Sequence, residues 1–280
     1  MKKIPLYLFT ALSVLAACKK GNSGKNSTPS TPWWLSSATG YAPQQRIVDS
    51  FHYDSLHRID TVTQSIYDSS SGTPKFNNWM VQFIYQDTLS PSPSWYNYYD
   101  IPLGGYGDYH LLSYDAQGRI SKDTSLSGSG YVTFFAYPNN EIAITTFYEG
   151  TPADNMMDTL FLRSGDLWQQ TLYLSIVPGQ PDQEAGTAAY TGASAANPAY
   201  NAAISAAIGP LLFDFTLSTN RAFVDFVSKN AYEALNSTQS CSPFGISILD
   251  FTLTNDDKGR LTRMTTGRGA APVSIVYTYY

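Results

Sequence analysis

Charged residues are scarce in this sequence. Lys, Arg, Asp and Glu together make up 14% of its 280 residues, whereas about a quarter is usual for a soluble domain. The 22 acidic residues outnumber the 17 basic ones. Because an acidic surface does not attract a phosphate backbone, we expect no nucleic-acid partner. Aromatic residues also reach 14%, and 21 of them are tyrosines, which suit the half-buried face of a β-sheet.

Histidines and catalytic motifs are few as well. Only His52, His57 and His110 occur. The first two flank one turn and could bind a metal ion together with Asp54 or Asp60, but we interpret both as exposed turn residues and His110 as an outward-facing strand residue. The sequence contains no Gly-x-Ser-x-Gly elbow, and no pair of carboxylates stands out as that of a glycosidase. We therefore predict a protein that is not an enzyme, with no catalytic residue, metal or cofactor.

The N-terminal apolar run, residues 4–14, is shorter than the roughly 20 residues of a spanning helix. It follows Lys2 and Lys3 and ends in Leu15-Ala16-Ala17-Cys18, a layout typical of a secretory signal. This ending resembles the lipobox of bacterial lipoproteins. The resemblance implies cleavage before Cys18 and lipidation of that residue, so that residues 1–17 are a signal peptide and the membrane is a partner. A transmembrane anchor and a plain signal peptide are the alternatives.

Removal of the signal takes away Lys2 and Lys3 and leaves 15 basic against 22 acidic residues, a net charge of −7. Cys241 is then the only thiol besides the lipidated one, which excludes an intramolecular disulfide and a cysteine-based metal cluster. We interpret Cys241 as a small buried hydrophobe.

Residues 18–43 are rich in Gly, Ser, Asn, Thr and Pro and predict a flexible tether. Residues 44–280 are expected to form a single domain.

A short motif recurs along this domain: an aspartate, two or three turn residues, an arginine and a branched aliphatic residue. The copies lie at 53–59, 114–120 and 255–261, with a degraded one at 162–167. An aspartate can accept backbone N–H groups at the start of a turn, and glycine permits a positive φ, so each copy predicts a β-hairpin. A third strand with spaced aromatic residues usually follows, at 81–85, 132–137 and 275–279.

These copies resemble the tyrosine–aspartate (YD) repeats of Rhs-type proteins and, more closely, hairpin repeats in a group of uncharacterised Bacteroidota lipoproteins. Asn197-Pro198 and Ser228-Lys229-Asn230 are similar to segments of the same lipoproteins. The resemblance implies a mainly β fold, an antiparallel β-meander built of YD-like hairpins, and says almost nothing about activity. The copies are few and irregularly spaced, and Asn255 replaces the tyrosine of the third, which argues against a large closed Rhs shell.

The sequence changes character at about 195–235, where we predict a small helical insertion of one or two helices that covers one sheet face. A first helix is expected to begin at Asn197, with Pro198 in its first turn, and to end at Gly209-Pro210. Residues 220–235 place apolar residues on one helical face and predict a second helix. Residues 211–217 fit either a helix or a strand.

One stretch has the composition of a binding surface. Trp95, Tyr96, Tyr98 and Tyr99 lie between prolines at positions 91, 93 and 102, so we predict a loop rather than a central strand. Exposed aromatic residues can stack on sugar rings or anchor a protein partner, whereas buried ones only pack a sheet.

Together these features predict a cell-envelope lipoprotein, most simply a non-enzymatic binding or scaffolding module for a glycan or an envelope protein. A purely structural envelope protein is the alternative, followed by a hydrolase with unidentified carboxylates. The expected location is the outer membrane, on its periplasmic or surface face.

Overall fold

The computed structural model describes residues 34–42, 45–73, 79–100, 106–127, 130–149, 155–174, 183–218, 226–237, 248–266 and 274–280, all within the compact unit Trp33–Tyr280. Sixteen antiparallel strands follow one another in chain order, and β1 pairs with β16, so that the sheet closes into a barrel. The expectation of a mainly β, antiparallel meander agrees with this architecture, whereas the sequence did not indicate closure.

The strands are β1 Leu35–Ala42, β2 Gln45–Tyr53, β3 Ile59–Asp68, β4 Trp79–Ile84, β5 Trp95–Asp100, β6 Tyr106–Tyr114, β7 Ile120–Ser125, β8 Tyr131–Ala136, β9 Glu141–Tyr148, β10 Met156–Arg163, β11 Asp166–Leu174, β12 Gln183–Ala196, β13 Asn230–Ser237, β14 Ile248–Asn255, β15 Leu261–Thr266 and β16 Ser274–Tyr279. One helix, α1 Ala202–Ser218, lies between β12 and β13. Strand β1 corrects the end of the predicted tether at 18–43, because residues 35–42 form a strand; residues 18–33 lie outside the described part of the chain. The Ser- and Gly-containing sequence of β1 has little apolar periodicity, but pairing with β2 on one side and β16 on the other supplies its hydrogen bonds.

Alternate residues of each strand point into the barrel, and this inward face is buried. In β3 the buried residues Val62, Gln64 and Ile66 alternate with partly exposed ones. The register pairs Val62 with Val81 of β4, so neighbouring strands continue the same face. Because the inward positions are mostly aliphatic or aromatic, they supply the main stabilising burial of the fold. The outward positions of β1–β3 and β14–β16 are mostly polar and include Thr39, Ser50, Thr61, Thr252, Thr265 and Thr278.

Helix α1 is buried within the barrel. Residues 207–213 are all buried, whereas a surface helix would expose one face. They belong to the same apolar cluster as the inward faces of the strands, and a closed barrel has one interior, so the helix lies in the lumen. Asn201 caps it, since its Oδ1 accepts the N–H groups of Ala203 at 3.0 Å and Ile204 at 3.3 Å. No helix of the described ranges is both long and apolar enough to span a membrane.

Three expectations for this region were wrong. The helix begins at Ala202 rather than at Asn197, and it continues through Pro210 instead of ending there. Packing on all sides of residues 207–213 compensates for the roughly 3 kcal/mol that an internal proline costs. The expected second helix at 220–235 is contradicted by β13, because pairing with β12 overrides the local helical pattern. Residues 219–225 lie outside the described part of the chain.

Residues 197–198 and 228–230 meet at the turn between β10 and β11. The Asn197 side chain donates to the carbonyl of Ser228 at 2.7 Å, and the Ser228 hydroxyl accepts the N–H of Leu167 at 3.0 Å. Asn230 donates to both oxygens of Asp166, at 2.8 and 2.9 Å. These bonds tie the connections on either side of the helix to one end of the barrel, so they help to hold the helix in the lumen.

Three hairpins, β2–β3, β6–β7 and β14–β15, share one turn geometry, which we call the corner turn. In the second, Asp115 Oδ1 accepts the N–H groups of Gln117 and Arg119 at 2.9 Å, and its Oδ2 accepts Arg119 Nε at 2.8 Å. The Arg119 guanidinium lies 4.1 Å from the ring centroid of Tyr137, whose hydroxyl donates to the Ile120 carbonyl at 2.8 Å. The spaced aromatic residue after the hairpin is therefore part of the motif.

The same bonds recur at the other two corner turns, which are formed by Asp54, Arg58 and Tyr85 and by Asp256, Arg260 and Tyr279. The residue before each arginine has a positive φ, namely His57, Gly118 and Gly259. The degraded copy at 162–167 differs, because Ser164 and Gly165 form a two-residue turn and Asp166 binds Asn230. The four hairpins are nevertheless spaced four strands apart, so the barrel repeats a four-strand unit.

Candidate binding surfaces

The predicted aromatic loop is a strand. Residues 95–100 form β5, paired with β4 and β6, and the flanking prolines precede or follow the strand instead of interrupting it. Because strand residues alternate, the four candidate aromatic residues separate into two pairs. Trp95 and Tyr99 point outward, whereas Tyr96 and Tyr98 point into the barrel.

The outward pair belongs to an aromatic platform on the outer face of β5 and β6, made of Trp95, Tyr99 and Tyr109. Asn97 lies between Trp95 and Tyr99 and is directly opposite Tyr109, which is 55% exposed. Gly107, opposite Tyr99, has no side chain, and a Cβ atom there would lie 3.5 Å from the Tyr99 ring. The ring can therefore lie across the neighbouring strand. The rings form a surface that can stack on an apolar ring face, whereas the Oδ1 atom of Asn97 is buried and has no hydrogen-bond partner within the described residues.

The inward pair contacts a buried polar cluster. Tyr96, which is 0% exposed, stacks on the His110 ring at 4.3 Å between centroids, and its hydroxyl donates to Asp123 Oδ2 at 2.7 Å. His110 Nδ1 lies 2.9 Å from Asp123 Oδ1. The interpretation of His110 as outward-facing was wrong, because the register pairs it with the inward Tyr96 and leaves it 1% exposed.

The other ring nitrogen of His110 faces β6 and β8. Its Nε2 lies 3.3 Å from Asp108 Oδ2 and 3.3 Å from the hydroxyl of Tyr131. The Ser125 hydroxyl contacts both oxygens of Asp108, at 3.0 and 3.2 Å. Tyr98 is directly opposite Asp108 in the register and lies beside it on the inward face. No local pattern in the sequence indicated this cluster, because its members are spread over four strands.

Two further inward carboxylates have a common arrangement. Asp49 Oδ1 accepts from Gln64 at 2.8 Å, and the indole of Trp79 donates to Gln64 at 3.1 Å. Eight strands on, Asp158 accepts from Gln170 at 2.7 Å, and Tyr190 donates to Gln170 at 2.8 Å. Burial raises the pKa of Asp49 to about 7, against the opposing effect of the bond from Gln64.

The remaining predicted residues do not form a site. His52 is exposed on β2, and His57 is exposed in the first corner turn, where it stacks on Trp34 at 5.0 Å. In the part of the chain that the structure describes, no three His, Cys, Asp or Glu side chains are grouped closely enough to hold a metal ion. Cys18 and Cys241 lie outside the described residues.

No protein-family model matches the chain, and no curated protein sequence matches it. Among solved structures, it is similar to a porin-like protein from Bacteroides uniformis, with 14% identity over 90% of this chain and 99% of that chain and a TM-score of 0.54. A porin-like protein from Bacteroides vulgatus covers 89% of this chain and 99% of its own, with 10% identity and a TM-score of 0.42. The first likeness supports the barrel fold.

Proposed function

We propose that the chain is a lipid-tethered cell-envelope protein whose barrel binds a glycan on its outer aromatic platform and does not conduct. The platform of Trp95, Tyr99 and Tyr109 around Asn97 is the observation that carries the glycan assignment. Sugar rings present apolar faces that stack on aromatic rings and hydroxyl groups that bond to polar atoms, and the exposed Tyr109 offers both a ring and a hydroxyl group.

The barrel interior argues against a pore. A conducting outer-membrane barrel has a polar lumen and an apolar outer band. Here the inward positions of the described strands are mostly apolar, and helix α1 lies among them. The outward positions of β1–β3 and β14–β16 carry Thr, Ser and charged residues such as Arg263 and Asp250, although exposed Leu111, Phe134 and Phe147 lie on the outer face of β6, β8 and β9. A charge at the middle of a lipid-facing strand costs about 2–4 kcal/mol for Arg or Lys.

Attachment through Cys18 remains part of the proposal. Trp34 is hydrogen-bonded through its carbonyl to Tyr280 at 3.1 Å and stacks on His57 of the first corner turn. The chain therefore enters the barrel at the end that carries the corner turns. A lipidated cysteine upstream would attach the protein to the membrane.

A glycan array tests the assignment, with the full-length protein in detergent. We expect specific glycans to bind and Trp95→Ala and Tyr109→Ala each to reduce their binding at least tenfold. The matched control is Tyr41→Ala, an exposed tyrosine on the outer face of β1. Circular dichroism checks that each variant is folded. If no glycan binds the unmodified protein, or if Tyr41→Ala weakens binding as much as the platform variants, the assignment fails. The purely structural role would then be favoured.

A further inference from the structure

Exposed apolar side chains are concentrated on one part of the outer wall of the barrel. Nine large apolar or tyrosine side chains are exposed in the described ranges, and four of them belong to β6, β8, β9 and the residue that follows β7. They are Leu111, Leu126, Phe134 and Phe147, which are between 41% and 65% exposed. Contiguous apolar patches are rare on proteins that stay free in water, so this wall is a candidate interaction surface.

The register places these side chains next to one another. Leu111 is opposite Thr124 of β7, which is opposite Val132 of β8, and Val132 is opposite Phe147 of β9. The rings of Phe134 and Phe147 are 6.0 Å apart and meet edge to face. We call this surface the apolar strip, which consists of Leu111, Leu126, Val132, Phe134 and Phe147.

The centre of the apolar strip is uncharged. The outward residues at 132–136 and 143–147 are apolar or threonine. Lys122 of β7 is opposite Phe134, and its Nζ lies 5.6 Å from the centroid of that ring. A lysine in such a place can lay its aliphatic stem along an apolar surface while its ammonium group reaches water or a lipid phosphate.

Aromatic residues border the apolar strip on the side of β5. Trp95 is opposite Leu111, and the exposed Tyr109 lies two residues before Leu111 on the same face. Tryptophan and tyrosine are enriched where a membrane meets water. An apolar centre with Trp, Tyr and Lys at its edges has the composition of a surface that lies in the membrane interface. The outward positions of β1–β3 and β14–β16 are mostly polar, so only one side of the barrel has this composition.

The position of Cys18 indicates what could cover the apolar strip. In the sequence it precedes Trp34, the first described residue, by 16 residues. A chain of this length spans at most about 55 Å. A lipid on Cys18 would therefore keep the barrel close enough to lay its side wall on the same bilayer. Because the outer wall of a closed barrel is convex, a fluid lipid surface can adapt to it without a complementary groove.

We propose that the apolar strip lies in the interface of the bilayer to which Cys18 is attached, so that the barrel rests on its β6–β9 side. This inference rests on the attachment through Cys18 that belongs to the proposed function, and it does not depend on the glycan assignment.

Photochemical crosslinking in vesicles tests this inference. The lipidated protein is reconstituted into glycan-free vesicles of phosphatidylethanolamine and phosphatidylglycerol that contain a phospholipid with a diazirine in its acyl chain. Mass spectrometry then locates the crosslinks. We expect residues 107–126 and 131–148 to carry about tenfold more crosslinks than residues 35–53 and 248–266, because the acyl chains contact only the apolar side of the barrel.

A double variant, Phe134→Ser with Phe147→Ser, should reduce the crosslinks at Leu111 and Leu126 about tenfold, because it removes two of the large apolar groups that hold the wall on the lipid. The matched control is Tyr41→Ser, which changes an exposed tyrosine on the outer face of β1 and should leave the crosslinks unchanged. Circular dichroism checks that each variant is folded, and Phe147→Ser alone replaces the double variant if the latter does not fold.

The inference is overturned if crosslinks are absent from the barrel, if they are spread evenly over its outer wall, or if the phenylalanine variant leaves them unchanged. It also fails if that variant dissociates a dimer, since the apolar strip would then be an interface between two copies of the chain. Intact mass tests the lipid on Cys18 separately. If that lipid is missing, the unlipidated protein is added to the same vesicles, and the apolar strip must still carry the crosslinks. A glycan array without binding leaves this result unaffected, because the vesicles contain no glycan.

Discussion

The buried carboxyl of Asp49 makes the pH dependence of stability a test of the barrel interior. Its pKa is about 7 in the folded protein because burial disfavours the charged form, whereas the pKa of an exposed aspartate is 3.8. Because the pKa of Asp49 is higher in the folded than in the unfolded protein, its contribution to the free energy of unfolding is fully present below about pH 4. It is lost as pH rises towards 7, because the folded protein must then carry the unfavourable charge or hold the proton.

The size of this effect follows from the difference of about 3 pKa units. At about 1.4 kcal/mol per unit, the unmodified protein should lose up to about 4 kcal/mol of unfolding free energy between pH 4 and pH 8 through this one group. Asp49→Asn keeps the shape and the acceptor that Gln64 uses, but it cannot ionise. The variant should therefore be close to the unmodified protein in stability at pH 4 and clearly more stable at pH 8.

Urea unfolding of both proteins at pH 4, 6 and 8, monitored by tryptophan fluorescence, measures this difference. The quantity to compare is the change in unfolding free energy between variant and parent across pH, since other titrating groups cancel in it. Asp250→Asn, an exposed carboxylate on β14, is the control and should show no comparable trend. Parallel pH profiles for Asp49→Asn and its parent would show that this carboxyl ionises as an exposed one does. Burial would then not raise its pKa, and the reasoning would be wrong.

Two further changes test the corner turns in the same assay. Tyr137→Phe removes the hydroxyl that donates to the Ile120 carbonyl at 2.8 Å and should lower the unfolding free energy by about 1 kcal/mol. Tyr109→Phe, at an exposed position, should change it very little. Equal effects would refute a structural role for the Tyr137 hydroxyl. Gly118→Ala places a Cβ atom at a φ of 75° with no atom within 4 Å and should cost about 1–2 kcal/mol through the backbone alone. Gly192→Ala, also without close contacts but without a positive φ, should be much milder, and a similar loss at both positions would contradict the argument.

The corner turns show what local sequence patterns can predict. Asp115, Gly118 and Arg119 act within five consecutive residues, and each has a local physical requirement: an acceptor for turn N–H groups, a positive φ and a partner for the carboxylate. The hairpins they predict are present in the structure. The role of Tyr137 was less visible, because its contact with Arg119 depends on where the next strand returns.

The aromatic stretch shows the limit of the same reasoning. Composition indicated a surface at residues 95–99, and two of the four aromatic residues are on a surface, but local sequence could not tell which ones face outward. That depends on register, since a shift of one residue would exchange the two faces. For the same reason His110 was assigned to the wrong face, and the lumenal carboxylates were not connected to one another.

Helix α1 illustrates a conflict between local and long-range effects. Gly209 and Pro210 are helix breakers in isolation, yet they lie within a helix whose surroundings bury residues 207–213. Residues 220–235 have a helical pattern, yet residues 230–237 complete the barrel as a strand between β12 and β14. In both cases contacts distant in sequence contribute more free energy than local propensity does.

The sequence by itself determined the β-hairpins, the periodicity of their strands and the positions of the corner turns, because each depends on residues a few positions apart. Only the tertiary structure decided that the sheet closes, that a helix with an internal proline fills part of the lumen, and that carboxylates from several strands face the same interior. Closure and register bring together residues as distant as Leu35 and Tyr279, and no local pattern in the chain specifies such pairings.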